Sequence, residues 1–381
     1  MLFTLATSLL NAIAIRASRV LLALYALHLG AQPLTVGFIA ATFSAFPTIL
    51  SWHTGKLTDR YGARWLLVAG ALGGAIGMVV PYFYTGLPAL FFAAALNGIS
   101  FTFYSVPLQN MVGMMSKPDE RTRNFSNLSL MVAVSIFIGP MFAGFSIDYS
   151  GHAATCLYIA LLSLVPAALM AIWGGALPTG TRSKIPVADS GEAPPERTIW
   201  RLLATGSLVQ LGLDMFHFYM PVYGHEIGLS ASAIGVVLAM FAVSAFVVRT
   251  VLPPLIARLG VETVLAWSFY IGAASFMMVP FFKSAIALGI ISFLFGIGMG
   301  CGQPVTTMLT YSRSPKGRSG EALGLRMTVN HLTRTVGPVI FGSMGSAFGI
   351  FSIFWVTAAF MASGGILAHT DRPAASEDKS G

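Results

Sequence analysis

Residues 139–144 read GPMFAG and residues 337–342 read GPVIFG, so a glycine-proline pair followed by a glycine recurs at an offset of 198 positions. The same offset, without gaps, relates residues along both halves of the chain: Gly37 and Gly235, Phe43 and Phe241, Arg60 and Arg258, Gly62 and Gly260, and Gly98 and Gly296. One glycine match is weak, but an offset shared by so many positions indicates a duplicated unit.

The composition predicts that lipid surrounds this chain. Hydrophobic residues make up 55% of the 381 residues and charged residues only 9%, with a mean hydropathy of +0.76. A soluble protein of this length needs more charge to cover its surface. Polar breaks divide the chain into stretches near the ~20 residues that cross a bilayer core of ~30 Å. The alternation of a membrane barrel is absent, so we predict twelve transmembrane helices, at about 4–28, 34–54, 64–84, 87–113, 124–147, 152–175, 200–222, 231–252, 262–282, 285–311, 321–346 and 349–369.

Lysine and arginine are concentrated in the loops on one side of these predicted helices, whereas only Lys283 stands out on the other side. Cytoplasmic loops carry such an excess. We therefore predict a multi-pass protein of the cytoplasmic (inner) cell membrane with both termini in the cytoplasm. The net charge of +8 reflects this topology. It does not indicate nucleic-acid binding, because no basic patch is interleaved with base-stacking aromatic residues.

The repeat divides the chain into two predicted bundles of six helices, residues 1–175 and 199–369. Residues 176–198 are rich in proline, glycine, serine and charge, which is typical of a disordered cytoplasmic linker, and residues 370–381 form a cytoplasmic tail. Cys156 and Cys301 lie within predicted helices and offer neither a disulfide framework nor a metal-binding spacing. We predict no metal and no cofactor.

Residues 55–65, between the second and third predicted helices, read GKLTDRYGARW. This stretch resembles the signature of the major facilitator superfamily, which has a glycine, an acid-base pair, a second glycine and another base at this place. The matching residues are Gly55, Asp59, Arg60, Gly62 and Arg64. The resemblance covers essentially the whole chain. It implies an all-α integral membrane fold of two six-helix bundles related by a pseudo-two-fold axis, which rock about a site at the membrane midplane.

Asp59 is expected to lie near the start of the eleventh helix, on the cytoplasmic side of the opposite bundle. A helix N-terminus carries roughly half a positive charge, to which Arg318 or Arg326 would add. We expect this contact to be a latch that holds the cytoplasmic gate closed. The second copy of the loop has Ala257 in place of the acid, so the latch is one-sided. The alternative is a loop that only anchors the chain by its positive charge.

Two ionisable pairs are predicted near the middle of the bilayer. The repeat aligns Arg16 with Asp214 and Arg19 with His217, and each pair lies deep inside its predicted helix. An ionisable residue there costs ~2.5–3.5 kcal/mol on insertion scales, so it faces a cavity or a partner. The resemblance places helices one and seven beside the central cavity, so we expect Arg16 to approach Asp214. The pair either neutralises itself or binds substrate and couples transport.

Asp214 is the one acid predicted deep in a helix, which makes it the candidate for proton coupling. His217 follows three residues later and would share or relay the proton, because histidine titrates near neutral pH. The alternative for His217 is a hydrogen-bonded packing residue.

Arg334 is predicted near mid-span in helix eleven, where the first half has Ile136. Arg16, Arg19 and Arg334 outnumber Asp214, which favours an anionic substrate. The alternative is a neutral amphiphile bound by aromatic and methionine side chains. Tyr25, Tyr223 and Gln210 complete the predicted substrate-binding set. Near the cytoplasmic ends of their helices, Arg249 and Arg326 are expected to extend towards the membrane surface.

The pairs Gly139-Pro140 and Gly337-Pro338 are predicted to kink their helices and to permit close packing. The first copy resembles the antiporter motif of superfamily exporters, which favours export.

The predicted function is secondary active transport of a small organic solute, anionic or amphiphilic, by proton-coupled export. No nucleotide-binding loop is present, so an ion or solute gradient would supply the energy. The alternatives are uptake or uniport of an organic anion and a receptor that does not transport. The short basic loops lack the acid and histidine clusters of a membrane enzyme, so we predict no enzyme activity. The expected partners are a small-molecule substrate, protons and the lipid bilayer, and the expected state is a monomer.

Overall fold

A computed structural model of the chain describes residues 2–115, 121–173, 196–312 and 319–369. All regular elements in these ranges are helices, joined by short turns. Their bounds are α1 Leu2–His28, α2 Pro33–Tyr61, α3 Ala63–Phe83, α4 Leu87–Met115, α5 Arg121–Trp173, α6 Glu196–Glu226, α7 Ala231–Leu259, α8 Val261–Met278 with a short 3-10 turn Val279–Phe281, α9 Ala285–Met299, α10 Gly302–Ser312, α11 Ser319–Phe348 and α12 Ile350–His369.

These elements form the twelve predicted spans, although the helix breaks do not all fall between spans. α5 contains two crossings that meet at Gly151, whose backbone is not helical (φ 80°, ψ 171°). α9 and α10 together make one crossing, which is interrupted after Met299 inside a glycine-rich stretch. The break between the two predicted bundles lies between Trp173 and Glu196. The predicted linker and tail lie almost entirely outside the described residues.

The duplication is visible in the backbone. Three turns of the first half recur in the second half at the same offset, each at a glycine in the left-handed region that disfavours other residues. The pairs are Gly30 and Gly228 (φ 82° and 80°), Gly62 and Gly260 (81° and 80°), and Gly151 and Gly349 (80° and 84°). The sequence repeat is therefore a repeat of structure.

The two bundles meet through equivalent helices, because α2 packs along α11 and α5 packs along α7. The glycines of the repeat make this approach possible. A side chain at Gly37 would collide with the carbonyl oxygen of Pro338, and one at Gly235 would collide with that of Pro140. The carbonyl groups of Pro140 and Pro338 are thus contact points between the bundles. Both glycine-proline pairs lie within continuous helix, and the kinks predicted there stay a prediction.

We call the side of the molecule on which α1 begins the terminal face and the opposite side the far face. At the far face, the Asp148 carboxylate accepts hydrogen bonds from the backbone N–H groups of Ala231 and Ser232, at 3.0 and 2.7 Å. At the equivalent place, Ser346 Oγ accepts one from Leu34 N at 3.1 Å. Each contact joins the end of a helix in one bundle to the beginning of a helix in the other. Together they close the far face.

Large apolar side chains cover the outside of the molecule. Ile76, Ile290, Ile340 and Ile366, all within helices, are each more than half exposed. Nine helical segments are long and apolar enough to cross a membrane, among the described residues. α6 and α11, which carry Asp214 and Arg334 of the cavity between the bundles, are not among them.

Candidate functional site

A cavity of about 200 Å³ lies at the middle of the molecule, where α1 of the first bundle faces α6 and α11 of the second. We call it the central cavity. Its charged or titratable lining residues are Arg16, Arg19, Asp214, His217, Arg249 and Arg334. The structure therefore brings together the ionisable residues that the sequence placed at the midplane.

Asp214 is held from two sides. Its side chain is buried, and Gln210, one turn earlier on α6, donates a hydrogen bond from Nε2 to Asp214 Oδ2 at 2.7 Å. Arg334 Nε lies 3.5 Å from the same oxygen, an ion pair that lacks the geometry of a hydrogen bond. The sequence predicts that Arg16 approaches this acid, and the two residues line the same cavity with an electrostatic attraction between them. The ion pair itself joins α6 to α11 within one bundle.

A series of hydrogen bonds connects Asp214 on α6 to residues of α10 and α11. Gln303 on α10 donates from Nε2 to Gln210 Oε1 at 2.6 Å. Arg326 on α11 donates from Nη2 to Gln303 Oε1 at 3.1 Å and to Thr306 Oγ1 at 3.0 Å. We call Arg326, Gln303, Gln210 and Asp214 the polar chain. The polar chain thus connects Asp214 to α10 and α11.

The expectation that Arg326 extends to the membrane surface is wrong, because its side chain is buried in the bundle. Gln303 and Thr306 supply acceptors inside the span, so the guanidinium does not need to reach the headgroups. Those acceptors lie on another helix, which is why the position of Arg326 in its own helix did not reveal this arrangement.

The charged residues that the first bundle contributes to the central cavity are two arginines, Arg16 and Arg19. The Arg19 guanidinium lies over the ring of Phe43, 4.3 Å from the centroid, and 5.7 Å from that of Phe101. Cation–π contact offsets part of the cost of burying the charge. Arg19 Nε is buried without a hydrogen-bond partner in the described part of the chain. Arg16 makes no side-chain hydrogen bond or ion pair with any described residue.

His217 lines the same cavity one turn from Asp214. Its Nδ1 lies 2.7 Å from the carbonyl oxygen of Leu213, and its ring packs edge-on against Phe216 and Phe241. Because a carbonyl only accepts, Nδ1 donates in this bond and Nε2 remains able to take up a proton. Proton sharing between His217 and Asp214 stays a prediction.

Tyr25 and Tyr223 lie near the far face, outside the lining of the central cavity. Tyr25 stacks on His152 with ring centroids 5.3 Å apart, and the Tyr223 hydroxyl donates to the carbonyl of Phe282 at 3.0 Å. The prediction that they bind substrate finds no support in the central cavity and stays a prediction. The repeat aligns them because it preserves scaffold positions as well as functional ones.

Arg249 is a cavity residue that the sequence did not identify. Its Nε donates to the carbonyl of Gly300 at 3.1 Å, and its side chain faces the cavity and not the membrane surface. Gly300 ends α9, where helix carbonyls lose their partners. The glycine-rich break in span ten thus creates the acceptor that holds Arg249. The signal available in the sequence was that Arg249 and the glycine-rich stretch of span ten lie at a similar depth in the membrane.

The signature loop is partly described. Gly62 makes the turn between α2 and α3, and Arg64 donates to the carbonyl oxygens of Ala171 and Met170 at 2.6 and 3.3 Å, which ties the loop to the end of α5. Arg60 lies over Tyr61, and Gly55 has open space around it. The side chains of Asp59 and Arg318 lie outside the described residues, so the cytoplasmic latch stays a prediction.

Two helical bundles around a polar cavity at mid-depth define a class of protein, because secondary transporters have this architecture. The chain matches the sequence model of the Major Facilitator Superfamily over residues 4–224 and again over residues 202–381. These matches span nearly the whole chain, so the protein belongs to the Major Facilitator Superfamily. It is a multi-pass membrane protein of a transporter family.

Relatives and solved structures agree with this assignment. An uncharacterised MFS-type transporter of Methanocaldococcus jannaschii is 22% identical over 361 residues, which cover 92% of each chain. The multi-drug resistance efflux pump PmrA of Streptococcus pneumoniae is 22% identical over 317 residues, 81% of this chain and 78% of that protein. The crystal structure of the nucleoside transporter NupG superposes with a TM-score of 0.80 at 12% identity, over 97% of this chain and 98% of that one. The structural likeness shows the fold.

Proposed function

We propose that this protein is a secondary active transporter that moves a small organic anion, or an anionic amphiphile, across the cell membrane. The observation that carries the proposal is the charge of the central cavity, where four arginines face one acid. Cations at membrane depth are costly unless a partner or water compensates them. A carboxylate, sulfonate or phosphate group would form charge-assisted hydrogen bonds with Arg16 and Arg19, neither of which has an ion pair with a described acid.

We assign proton coupling to Asp214. Protonation removes the negative charge opposite Arg334 and frees that guanidinium for a substrate anion. A bound anion in turn favours protonation of Asp214, because a nearby negative charge disfavours an ionised carboxylate. Proton and anion therefore bind cooperatively at this site. His217 would pass the proton through its free Nε2.

The direction of transport rests on two different arguments. A relative named a multi-drug resistance efflux pump supports export, which requires the proton and the substrate to occupy the site in turn. The Arg334–Asp214 pair favours a second candidate, proton-coupled uptake, because cooperative binding carries both in the same direction. A receptor that binds but does not transport is the alternative in another class.

Alternating access would proceed by rocking of the two bundles, residues 1–175 and 199–369. The contacts of Asp148 and Ser346 close the far face, so they must break when the site opens to that side. The positive loops support a cytoplasmic terminal face in the cell membrane, which makes the described conformation inward-facing. We propose a monomer that transports its substrate without covalent chemistry.

The proposal is tested by transport into and out of proteoliposomes. We would use 1-naphthalenesulfonate, whose anionic group does not titrate, with a pH gradient imposed in each direction. We expect flux of the sulfonate to follow the pH gradient and to fall at least ~10-fold in Arg16→Ala, the loss of about one charged hydrogen bond. Lys283→Ala, an exposed lysine remote from the cavity, is the matched control. Flux that Arg16→Ala leaves unchanged would contradict the proposal.

A further inference from the structure

A second and larger cavity, of about 390 Å³, lies beside the central cavity within the terminal half of the molecule. We call it the side pocket. It is lined by α1, α4 and α5, and it shares Arg16 and Arg249 with the central cavity. The two cavities therefore meet at the arginine that we assign to the substrate anion. Away from these arginines, the side-pocket lining that the structure describes is uncharged.

One face of α1 forms a wall of the side pocket. Ser8, Asn11, Ala12 and Ile15 line it, at the spacing of three and four residues that places side chains on the same side of a helix. Arg16 follows directly. Asn11 precedes Arg16 by five residues, which is a rise of ~7 Å along the helix axis. A ligand that binds Arg16 through its anionic group would therefore reach Asn11 with atoms a few bonds away.

Asn11 is the unusual residue of this wall. Its side chain is 0% exposed, and neither Nδ2 nor Oδ1 has a hydrogen-bond partner within the part of the chain that the structure describes. A buried polar group left unpaired costs about 1–3 kcal/mol. Single amides in membrane helices normally bond to a neighbouring helix, which Asn11 does not do here.

Four of the other polar side chains of the side pocket, Ser8, Tyr104, Gln109 and Ser135, already have partners. Gln109 Nε2 donates to the carbonyl of Ser105 at 3.2 Å, and Ser135 Oγ donates to that of Val132 at 2.7 Å. The hydroxyls of Ser8 and Tyr104 lie 3.5 Å apart. Asn11 is thus the one described lining residue with buried atoms that still need both a donor and an acceptor.

Apolar side chains form a large part of the remaining wall. Phe101, Leu108, Leu128 and Met131 surround the space beyond Asn11, and methionine and aromatic side chains adapt to varied apolar ligands. A carboxamide side chain offers one donor and one acceptor in the same plane, which matches a neutral amide in the ligand. A charged group would lack a counter-ion at this place.

We propose that the side pocket is a second subsite of the transport site, and that it binds the apolar tail of an N-acylated organic anion. The substrate's amide bonds to Asn11, its tail fills the apolar wall, and its acid lies at Arg16. This assignment rests on the proposed function and specifies the substrate class. The substrates are amphiphiles with an acyl chain on an amide and an acidic group two or three carbons beyond the amide nitrogen. Asn11 sets the preference for the amide.

The test compares two probes of equal chain length, N-octanoyltaurine and undecane-1-sulfonate, which differ by the amide. Binding to the purified full-length protein is measured by calorimetry. We expect the wild type to bind N-octanoyltaurine ~10-fold more tightly, the effect of about one satisfied buried amide. Asn11→Leu, similar in size, should lose this preference and keep its affinity for undecane-1-sulfonate. Equal binding of both probes by the wild type, or a preference that survives in Asn11→Leu, would overturn the subsite.

Two further measurements separate the outcomes. Because Asn11 is unpaired, Asn11→Leu should keep or raise Tm, whereas a lower Tm would indicate a structural role and contradict the proposal. Asn11→Ala is the second variant, with the same expected loss of preference, should the leucine variant fail to fold. Arg16→Ala should weaken both probes equally. If the wild type binds undecane-1-sulfonate as tightly as N-octanoyltaurine, the subsite proposal is refuted and the proposal of an anion transporter is retained. If the wild type binds neither probe, both proposals are refuted.

Discussion

The two bundles contribute unequal chemistry to one cavity. In the second bundle, Asp214 is held by Gln210 and Arg334, and the polar chain continues from it to Arg326. In the first bundle, Arg16 and Arg19 face the same space, Arg19 lies over aromatic rings, and neither forms an ion pair with a described acid. One side resembles a preassembled proton site and the other a site that awaits an anion.

The contacts that join the bundles have stayed nearly symmetric. A side chain at Gly37 would collide with the carbonyl of Pro338, and one at Gly235, the repeat partner of Gly37, would collide with the carbonyl of Pro140. Close backbone packing tolerates no side chain at either place, so both copies keep glycine. Cavity residues lack that constraint and have diverged. After the duplication, the surfaces at which the bundles meet were preserved, whereas the residues that line the cavity between them diverged.

The largest expected effect comes from removing the acid. Asp214→Asn keeps the shape and the bond from Gln210 but cannot gain or lose a proton. We expect transport driven by a pH gradient to fall ~100-fold, as for loss of a positioned proton-transfer group. Binding of 1-naphthalenesulfonate should persist or strengthen, since Arg334 loses its ionised partner. Gradient-driven flux at the wild-type rate would refute the role of Asp214.

Arg16→Ala is expected to act on the opposite wall. Removal of the Arg16 guanidinium should raise the Kd for 1-naphthalenesulfonate ~10–100-fold. This corresponds to about 1.5–3 kcal/mol for a hydrogen bond to a charged group. The remaining transport should still depend on the pH gradient, because Asp214 is retained. Equilibrium binding and a pH profile of flux measure both. A shifted pH profile with unchanged Kd would reverse the assignment of the two walls.

Much of this architecture is predictable from the sequence, because hydropathy and loop charge determine where a chain crosses a membrane. The twelve spans and the duplicated turns at Gly62 and Gly260 follow from local patterns. The pairing of Asp214 does not, because it depends on how α6 and α11 rotate about their own axes. The repeat aligns Arg16 with Asp214, but equivalent positions in two bundles need not touch. The acceptors of Arg326 and the unpaired Asn11 likewise depend on neighbouring helices.

Breaking the polar chain away from the acid should have a smaller effect. Gln303→Leu removes the link between Gln210 and Arg326 and leaves Asp214 in place. We expect an altered pH dependence of transport and a maximal rate reduced ~3–10-fold, about one buried hydrogen bond. Thr307→Val is a suitable control, because Thr307 bonds only the backbone carbonyl of Gln303. Equal behaviour of the two variants would show that the polar chain plays no part in coupling.

The far-face contacts offer the finest comparison, since one is charged and its repeat equivalent is neutral. Asp148→Ala removes a carboxylate from the start of α7, and Ser346→Ala removes a hydroxyl from the start of α2. Loss of a helix N-cap costs ~0.5–2 kcal/mol, more when charge is involved. Both variants should shift the molecule towards opening at the far face, Asp148→Ala further. Distances between spin labels at Tyr149 and Lys283 measure the shift, and a larger shift in Ser346→Ala would contradict the comparison.

The central claim is that an anion at the arginines and a proton at Asp214 bind together. It is tested most directly by counting the protons that the purified protein takes up from weakly buffered solution when 1-naphthalenesulfonate binds, across a range of pH. We expect net proton uptake by the wild type and none by Asp214→Asn. Proton release on binding, or equal uptake by both proteins, would contradict it.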